Sequence, residues 1–577
     1  MVVTPYFVQE REKEQVRMKN NYSKPWTERG TRQALLRNAL VKSMGYTQKD
    51  LDRPIVGIIN TWSETNPGHV HFRQLAEAVK RGVWAEGGFP LEVNTMSICE
   101  VFFDISSLVY RNLLSMTTEE LIARHPFDGV VLMGSCDKVV PAQLMAAVSA
   151  NKPTIYLPGG PMLPGYYKGE EYVCGTDSFK LWTKYTAGEI TLGEVTRTEE
   201  CLYGSAGACP IMGTANSMQT ITEALGISLP GSAAPLSVSA ERLRISEESG
   251  RQIVHLIEQD IRCNDIITKA SIENAIRVLM ACGGSTNLII HLKAIARRGN
   301  IPLDLMEFDT ISNETPMLVN TKPSGQFSVG LQFANAGGVK ALMKELEGML
   351  NTSCLTVTGK SVEENLREAD HSYNRDAIAS LDRPIQARGG IAILKGNLAP
   401  GGAVVKRSAA SEHLLKHRGP AKVFDDLAVA EKYLLDEGND MTADTVIVLR
   451  GYGPTGAPGM PEFGNYLPIP PKLYKQGVRD FVRITDSRMS GGAFGTVILH
   501  CAPESAVGGP LAAVQDGDMI SIDVDHNRIE LEISPEEMEN RLAVVKRKEH
   551  PEITRGFVRN FIDSVLQADQ GCDMSYL

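Results

Sequence analysis

Cys136, Asp137 and Lys138 place a thiol, a carboxylate and an amine next to one another in the chain. They follow the apolar run 130–133, which predicts a buried strand. In open α/β sheets ligands bind at the carboxyl ends of strands, so we expect these side chains at such an edge. A thiolate is a soft ligand for iron–sulfur chemistry, and a carboxylate is a hard ligand for Mg²⁺. The triplet therefore indicates one site with two kinds of metal, although a cysteine at a strand end is also typical of a small buried side chain.

Further polar residues stand in glycine-rich segments. Glu100 follows an extended segment and Glu462 ends the run 450–462, and both carboxylates suit Mg²⁺. Ser490 precedes two glycines, which makes it a candidate nucleophile or base. It does not lie in a Gly-x-Ser-x-Gly elbow, which disfavours a hydrolase, and no Gly-x-Gly-x-x-Gly follows the first strand, which disfavours a dinucleotide dehydrogenase. Each carboxylate also has a plainer interpretation as a turn residue or helix cap.

Strand and helix patterns alternate in the first part of the chain. Strands are predicted at 54–60, 90–96, 127–133 and 153–157, and helices at 32–43, 71–86, 117–125 and 141–150. This alternation predicts the α/β class with a doubly wound parallel sheet. After about residue 381, short strands separated by turns predict a β-barrel or sandwich, followed by helices in 535–577. We therefore expect two domains, residues 1–385 and 386–577.

Composition narrows the class of protein. The chain has 577 residues, 43% hydrophobic and 22% charged, which is typical of a globular enzyme. Its net charge of −10 disfavours nucleic acid or an anionic membrane as partner. Residues 1–24 lack the apolar core of a signal peptide, so a cytoplasmic location is expected. The 10 cysteines include no Cys-x-x-Cys pair, so a metal site would be assembled from distant segments.

Several motifs occur together in one order along the chain. They are Gly134-Ser-Cys-Asp-Lys138, Cys209 with Met212-Gly-Thr-Ala-Asn-Ser-Met218, Gly283-Gly-Ser-Thr-Asn287, Lys395-Gly-Asn-Leu-Ala-Pro400, Gly459-Met-Pro-Glu462, Asp486-Ser-Arg-Met-Ser-Gly491 and Ala502-Pro-Glu-Ser-Ala506. Over nearly the whole chain this set resembles the dihydroxy-acid/phosphogluconate/sugar-acid dehydratase family.

The resemblance implies a fold and an activity. It implies an N-terminal α/β domain and a C-terminal β-barrel like the swivelling domain of aconitase, with the active site between them. Members dehydrate 2,3-dihydroxy carboxylates to 2-keto acids with an iron–sulfur cluster and Mg²⁺. The expected partner is a small hydroxy-acid substrate, and the expected assembly is a homodimer or homotetramer. By position in the motifs, the resemblance assigns cluster binding to Cys136 and Cys209, Mg²⁺ binding to Glu100, Asp137, Lys138 (as a carbamate) and Glu462, and catalysis to Ser490 as base together with Lys138.

The sequence departs from the family pattern at Gly68, which stands where the family has its first cluster cysteine. Three outcomes are open: His69 supplies a nitrogen ligand, Cys99 substitutes from another loop, or a normal 2Fe-2S cluster does not form. Ser487, Met489 and Ala493 also differ from the branched-chain members and are expected to reshape the substrate pocket.

These departures favour a sugar-acid (aldonate) dehydratase. The alternatives are the branched-chain dihydroxy-acid dehydratase of valine and isoleucine synthesis, and a non-catalytic relative that binds a metabolite.

Overall fold

The computed structural model describes residues 22–173, 176–186, 188–462, 467–491 and 495–577. The α-helices are α1 Lys24–Thr27, α2 Arg32–Ser43, α3 Gln48–Leu51, α4 Phe72–Ala85, α5 Leu108–Arg124, α6 Val139–Ala150, α7 Thr176–Thr186, α8 Leu192–Glu199, α9 Thr214–Ala224, α10 Ala240–Gln259, α11 Cys263–Ile266, α12 Lys269–Ala281, α13 Asn287–Arg298, α14 Leu305–Glu314, α15 Gly338–Glu345, α16 Val362–Arg367, α17 Leu427–Leu435, α18 Pro471–Lys475, α19 Pro535–Ala543 and α20 Gly556–Ser564. The strands are β1 Ile55–Asn60, β2 Phe89–Asn94, β3 Gly129–Gly134, β4 Thr154–Pro158, β5 Gly165–Tyr167, β6 Glu170–Tyr172, β7 Ala392–Gly396, β8 Ala399–Val405, β9 Lys416–Phe424, β10 Val446–Leu449, β11 Arg483–Thr485, β12 Val497–Ala502, β13 Met519–Asp523 and β14 Arg528–Leu531.

The first part of the chain is built around a parallel sheet with the strand order β2-β1-β3-β4. Every residue of β1 and β3 is buried, as expected for apolar strands covered by helices on both faces. Helix α4 packs against α10, and α5 packs against α6. The predicted α/β class with a parallel sheet is confirmed.

The strand order places a crevice between β1 and β3. The chain passes from β1 to β2 on one side and then returns to β3 on the other side of β1. Ligands of open α/β proteins bind outside the carboxyl ends of strands at such a reversal. The segment that contains Gly68 follows β1, and the Cys136 triplet follows β3. The topology therefore brings these two segments to the same edge of the sheet.

Eight strands of the last part form a closed barrel in the order β10-β11-β12-β8-β7-β14-β13-β9. This decides between the two predicted architectures in favour of the barrel. Strands β9 and β14 were not predicted, because both mix charged residues with apolar ones instead of forming apolar runs. The likeness to the swivelling domain of aconitase and the division after residue 385 stay predictions.

The barrel has an apolar core of its own, and a few of its residues also join the core of the sheet region. Ile393 and Val404 of the barrel belong to the same buried cluster as the parallel sheet. The segment 571–573 adds polar contacts: Arg111 of α5 donates to the carbonyls of Gly571 and Cys572 at 2.9 and 2.7 Å. Asp573 accepts hydrogen bonds from the buried Arg298. Within the described ranges, no helix combines the length and the apolar character needed to cross a membrane.

Candidate active site

The sheet side of the candidate site is a buried lysine held by two carboxylates. Lys138 precedes α6 and is fully buried, and its Nζ lies 3.2 Å from Oε2 of Glu100. The same Nζ donates to Oδ2 of Asp137. Ser107 donates its hydroxyl hydrogen to Oε2 of Glu100. Three of the predicted site residues, Glu100, Asp137 and Lys138, are therefore in direct contact.

The barrel contributes a second carboxylate and a buried guanidinium. Nη1 of Arg488 lies 2.7 Å from Oε1 of Glu462, and Nη2 of Arg488 lies 3.6 Å from Oε1 of Glu100. Nδ2 of Asn287 donates to the same Oε1 of Glu462 at 2.8 Å. Arg488 thus links the carboxylate on the barrel to the carboxylate on the sheet side.

The charges of this cluster depend on one another. Burial would raise the pKa of Glu100, but Lys138, Arg488 and the Ser107 hydroxyl lower it to about 2. Burial and Arg488 would lower the pKa of Lys138, but Asp137, Glu100 and Glu462 raise it above its usual value. Burial raises the pKa of Glu462 despite Arg488 and Lys138. The unmodified Lys138 is therefore an ammonium group that neutralises part of the negative charge.

Ser490 lies beside the first turn of α9. Its neighbour Gly491 packs so closely there that a Cβ would stand 2.7 Å from the backbone nitrogen of Thr214 and 2.8 Å from Cα of Gly213. Only glycine allows this approach. The backbone N–H groups of a helix N-terminus favour negative charge, and Gly491 brings the backbone after Ser490 to this end of α9.

His69 does not offer a nitrogen to a metal in this arrangement. Its buried Nε2 accepts hydrogen bonds from the backbone N–H groups of Ser135 and Cys136 at 3.0 and 3.1 Å. Nδ1 must then carry the hydrogen, which it can donate to the carbonyl of Thr61 at 3.0 Å. Burial lowers the pKa of His69 to about 3, so the ring is neutral. His69 therefore shapes the segment after β3.

The thiols of Cys99 and Cys136 are neighbours. They interact through a hydrogen bond, which lowers the pKa of Cys99 and raises that of Cys136. The half-buried Cys209 follows Gly207, whose backbone N–H donates to the carbonyl of Pro67 at 2.9 Å. The cysteine segments and the Gly68 segment therefore surround one part of the sheet edge.

The arrangement of donors bears on the two expected cofactors. In the part of the chain that the structure describes, no three His, Cys, Asp or Glu side chains lie close enough together to hold a metal ion as they stand. Lys138 and Arg488 lie among the carboxylates instead. The donor types fit the expected groups, because the sulfur atoms suit an iron–sulfur cluster and the carboxylates suit Mg²⁺.

Some motif residues have structural roles. Both oxygens of Asp486 accept hydrogen bonds, from the backbone of Gly451 and Tyr452 and from Ser505. Ser487 is fully buried and donates to the carbonyl of Pro461, next to Glu462.

Two other residues were expected to shape the pocket. Met489 is buried against Val497 and Leu499. Like Ser487, it would therefore affect the shape of the substrate pocket only indirectly. Ala493 lies outside the described residues.

Sequence reasoning missed the roles of Arg488, Asn287 and Lys406. Arg488 and Asn287 belong to motifs of the sequence, but an arginine or asparagine gives no signal of burial by itself. Lys406 directly follows β8, where Val404 faces the sheet core, and only 1% of it is exposed. Its Nζ has no hydrogen-bond partner among the described residues. Burial lowers the pKa of Lys406 to about 8.

Replacing Lys406 with methionine is expected to stabilise the protein at pH 7, by up to about 3 kcal/mol. The pKa of Lys406 is lower in the folded protein than in the unfolded chain, so the folded state binds fewer protons between about pH 8 and the usual lysine value. The destabilisation caused by burying the charged Lys406 is therefore fully present below about pH 8. It disappears as the pH rises from about 8 to the usual pKa of lysine. The free energies of unfolding in urea, compared between the two proteins from pH 7 to 10, measure this effect.

Lys152 provides a matched control because it is a buried lysine with partners. Its Nζ donates to the carbonyl of Phe127 at 2.9 Å, so Lys152→Met should destabilise the protein. A loss of stability at pH 7 in the Lys406→Met variant would contradict the prediction.

Comparisons with known proteins place the chain in a family. The family model described as dihydroxy-acid/6-phosphogluconate dehydratase N-terminal matches residues 53–365, and the corresponding C-terminal model matches residues 376–572. L-arabonate dehydratase of Azospirillum brasilense is 46% identical over 564 residues, which cover 96% of each chain. 6-Deoxy-6-sulfo-D-gluconate dehydratase of Pseudomonas putida is 42% identical over 559 residues, again 96% of each chain. Dihydroxy-acid dehydratase of Caldicellulosiruptor bescii is 41% identical over 545 residues, 92% of this chain and 96% of its relative.

The chain belongs to the dihydroxy-acid/6-phosphogluconate dehydratase family. It is therefore an enzyme of the hydro-lyase class that acts on dihydroxy acids, as the motifs predicted.

Proposed function

We propose that this enzyme dehydrates a sugar acid (an aldonate) to the 2-keto-3-deoxy acid. The relatives named L-arabonate dehydratase and 6-deoxy-6-sulfo-D-gluconate dehydratase support this substrate class, since each aligns over 96% of this chain. The branched-chain dihydroxy acid is the second candidate, supported by the relative named dihydroxy-acid dehydratase. A cytoplasmic homodimer or homotetramer is part of the proposal.

One observation carries the proposal. Glu100 and Asp137 contact the buried Lys138, and Arg488 joins Glu100 to Glu462 from the barrel region. Such a concentration of negative charge in a crevice is costly for a protein unless cations neutralise it. This cluster of carboxylates suits a site in which a bound cation holds the carboxylate of a hydroxy acid.

In the proposed reaction Ser490 acts as the base. Its deprotonated Oγ takes the proton from C2 of the substrate, and the C3 group departs with its bonding electron pair as hydroxide. The hydroxide takes the proton carried by Ser490 and becomes water, which restores the deprotonated serine, and the enol tautomerises to the 2-keto acid. The N-terminus of α9 beside Gly491 favours the anionic serine. Arg488 and Asn287 hold Glu462 in one orientation.

Two groups complete the proposed site. Glu100, Asp137, Glu462 and a carbamate on Lys138 would hold Mg²⁺, and Cys136 and Cys209 would hold an iron–sulfur cluster. When bound, these groups supply the Lewis acidity that the departing hydroxyl and the substrate carboxylate need. Carbamylation would fit this role, because it would replace the positive charge of Lys138 with a negative one and leave Arg488 as the remaining cation among the residues named.

The experiment is a keto-acid assay on protein purified without oxygen and supplied with Mg²⁺. The substrates are a pentonate, a hexonate and 2,3-dihydroxy-3-methylbutanoate, and the product is trapped as its semicarbazone. We expect turnover of at least one sugar acid that exceeds turnover of the branched acid. Activity on the branched acid alone would reject the sugar-acid proposal in favour of the second candidate. Binding of a sugar acid without any product would indicate a non-catalytic relative.

A further inference from the structure

Gly68 is placed where a side chain could reach the sheet edge, but it has none. A Cβ at this position would stand 3.1 Å from Oδ1 of Asn66 and 3.6 Å from the carbonyl oxygen of Gly207. Gly207 lies two residues before Cys209. The cluster proposed above is therefore short of one ligand on the side that faces the Cys209 segment.

The Asn66 side chain ties the Gly68 segment to the segment of Cys99. Its Oδ1 accepts from the backbone N–H of Gly68 at 2.9 Å. Its Nδ2 donates to the carbonyl of Ile98 at 3.0 Å and to the hydroxyl of Ser97 at 3.1 Å. The Asn66 amide thus binds both the backbone of Gly68 and the backbone of Ile98, the residue before Cys99.

Cys99 and Cys136 are already neighbours across the crevice. Their thiols share a hydrogen bond, and Cys136 packs against the apolar cluster that contains Ile98. Two neighbouring thiols would suit two cysteine ligands of an iron–sulfur cluster.

We propose that Cys99 replaces the missing ligand at position 68, so that Cys99, Cys136 and Cys209 bind the iron–sulfur cluster. The inference rests on the proposed function and specifies the cofactor site of that enzyme. The three thiols lose their protons when they bind iron. His69 remains a positioning residue, because its Nε2 is engaged by the backbone after β3.

The test measures iron and acid-labile sulfide per chain, with the visible absorption spectrum, in protein purified without oxygen. Cys99→Ser is expected to lower the iron content and the sulfide content by about tenfold or more. Loss of a residue that only supports a metal ligand already lowers metal affinity by about this factor, and loss of a ligand should do at least as much. Cys354→Ser is the matched control, because Cys354 and Cys99 are each 8% exposed. The control should keep the iron and sulfide content of the parent.

A second variant separates loss of a ligand from damage to the fold. In Gly68→Cys combined with Cys99→Ser, the new side chain lies beside Gly207, and Oδ1 of Asn66, 3.1 Å from the added Cβ, must move by only a few tenths of an ångström. We expect this double variant to regain iron, sulfide and the absorption spectrum. Full cluster content in Cys99→Ser, a parent that purifies without iron and sulfide, or a folded double variant without cluster would each overturn the inference.

The outcomes remain distinct from those of the keto-acid assay. A parent with cluster whose Cys99→Ser variant loses it, but which makes no keto acid, would support the cluster site and reject the proposed function. If the parent makes keto acid and the Cys99→Ser variant keeps its cluster, the proposed function is supported and the proposed cluster site is rejected.

Discussion

Replacing Ser490 with alanine is expected to lower kcat by about a thousandfold, the typical contribution of a well-placed general base. The proposed mechanism requires the Ser490 oxygen to take the C2 proton, and alanine has no oxygen. Substrate binding should persist, because the carboxylates and Arg488 are unchanged. Steady-state kinetics measures kcat, and exchange of the C2 hydrogen with deuterated water measures the proton-removal step directly.

Ser534→Ala serves as the control for this substitution. Ser534 caps α19 by accepting from the backbone N–H of Glu537 at 3.1 Å, so its loss should cost about 1 kcal/mol of stability and leave kcat unchanged. If Ser490→Ala retained turnover and hydrogen exchange, the assignment of the base would be wrong.

Replacing Arg488 with methionine is expected to cost about 3–5 kcal/mol of stability, the usual penalty for removing one partner of a buried ion pair. Arg488 is fully buried, and its Nε donates to the carbonyl of Met460 at 2.7 Å. Without it, Glu462 would keep only Asn287 as a hydrogen-bond donor among its described partners, and the link to Glu100 would be lost. We therefore expect low turnover as well as a lower midpoint of urea unfolding.

Arg298→Met is the matched control for Arg488→Met. Arg298 is also buried, and it pairs with Asp573 and Glu119 away from the site. The control should lose stability to a similar degree, but its folded fraction should keep the parent kcat. An Arg488→Met protein as stable and as active as the parent would show that the ion pair with Glu462 is not needed.

The fold was largely predictable because its strands are apolar runs between helices. The run at 130–133 fell within β3, and the strand before the Gly68 segment fell on β1. The polar strand β9 escaped prediction because only three of its nine residues are buried. The pattern of apolar residues therefore identifies a strand that is buried on both faces much better than a strand that is buried on only one face.

The site was predictable only in part. Glu100, Asp137 and Lys138 meet as expected, because two of them are adjacent in the chain and Glu100 is held against them by Lys138. No pattern in the sequence could show that Arg488 would join Glu100 to Glu462, since the contact spans separate regions of the chain. The neighbourhood of Cys99 and Cys136 likewise depends on the strand order.

The distribution of the site along the chain has a consequence for biosynthesis. The three proposed cluster cysteines all precede α9, whereas Glu462, Arg488 and Ser490 belong to the barrel that is translated afterwards. The proposed cluster cysteines are therefore synthesised before any residue that the barrel adds to the site. Arg111 of α5, however, donates to the carbonyls of Gly571 and Cys572 at the far end of the chain. The sheet region therefore gains its full set of contacts only after the last residues have been synthesised.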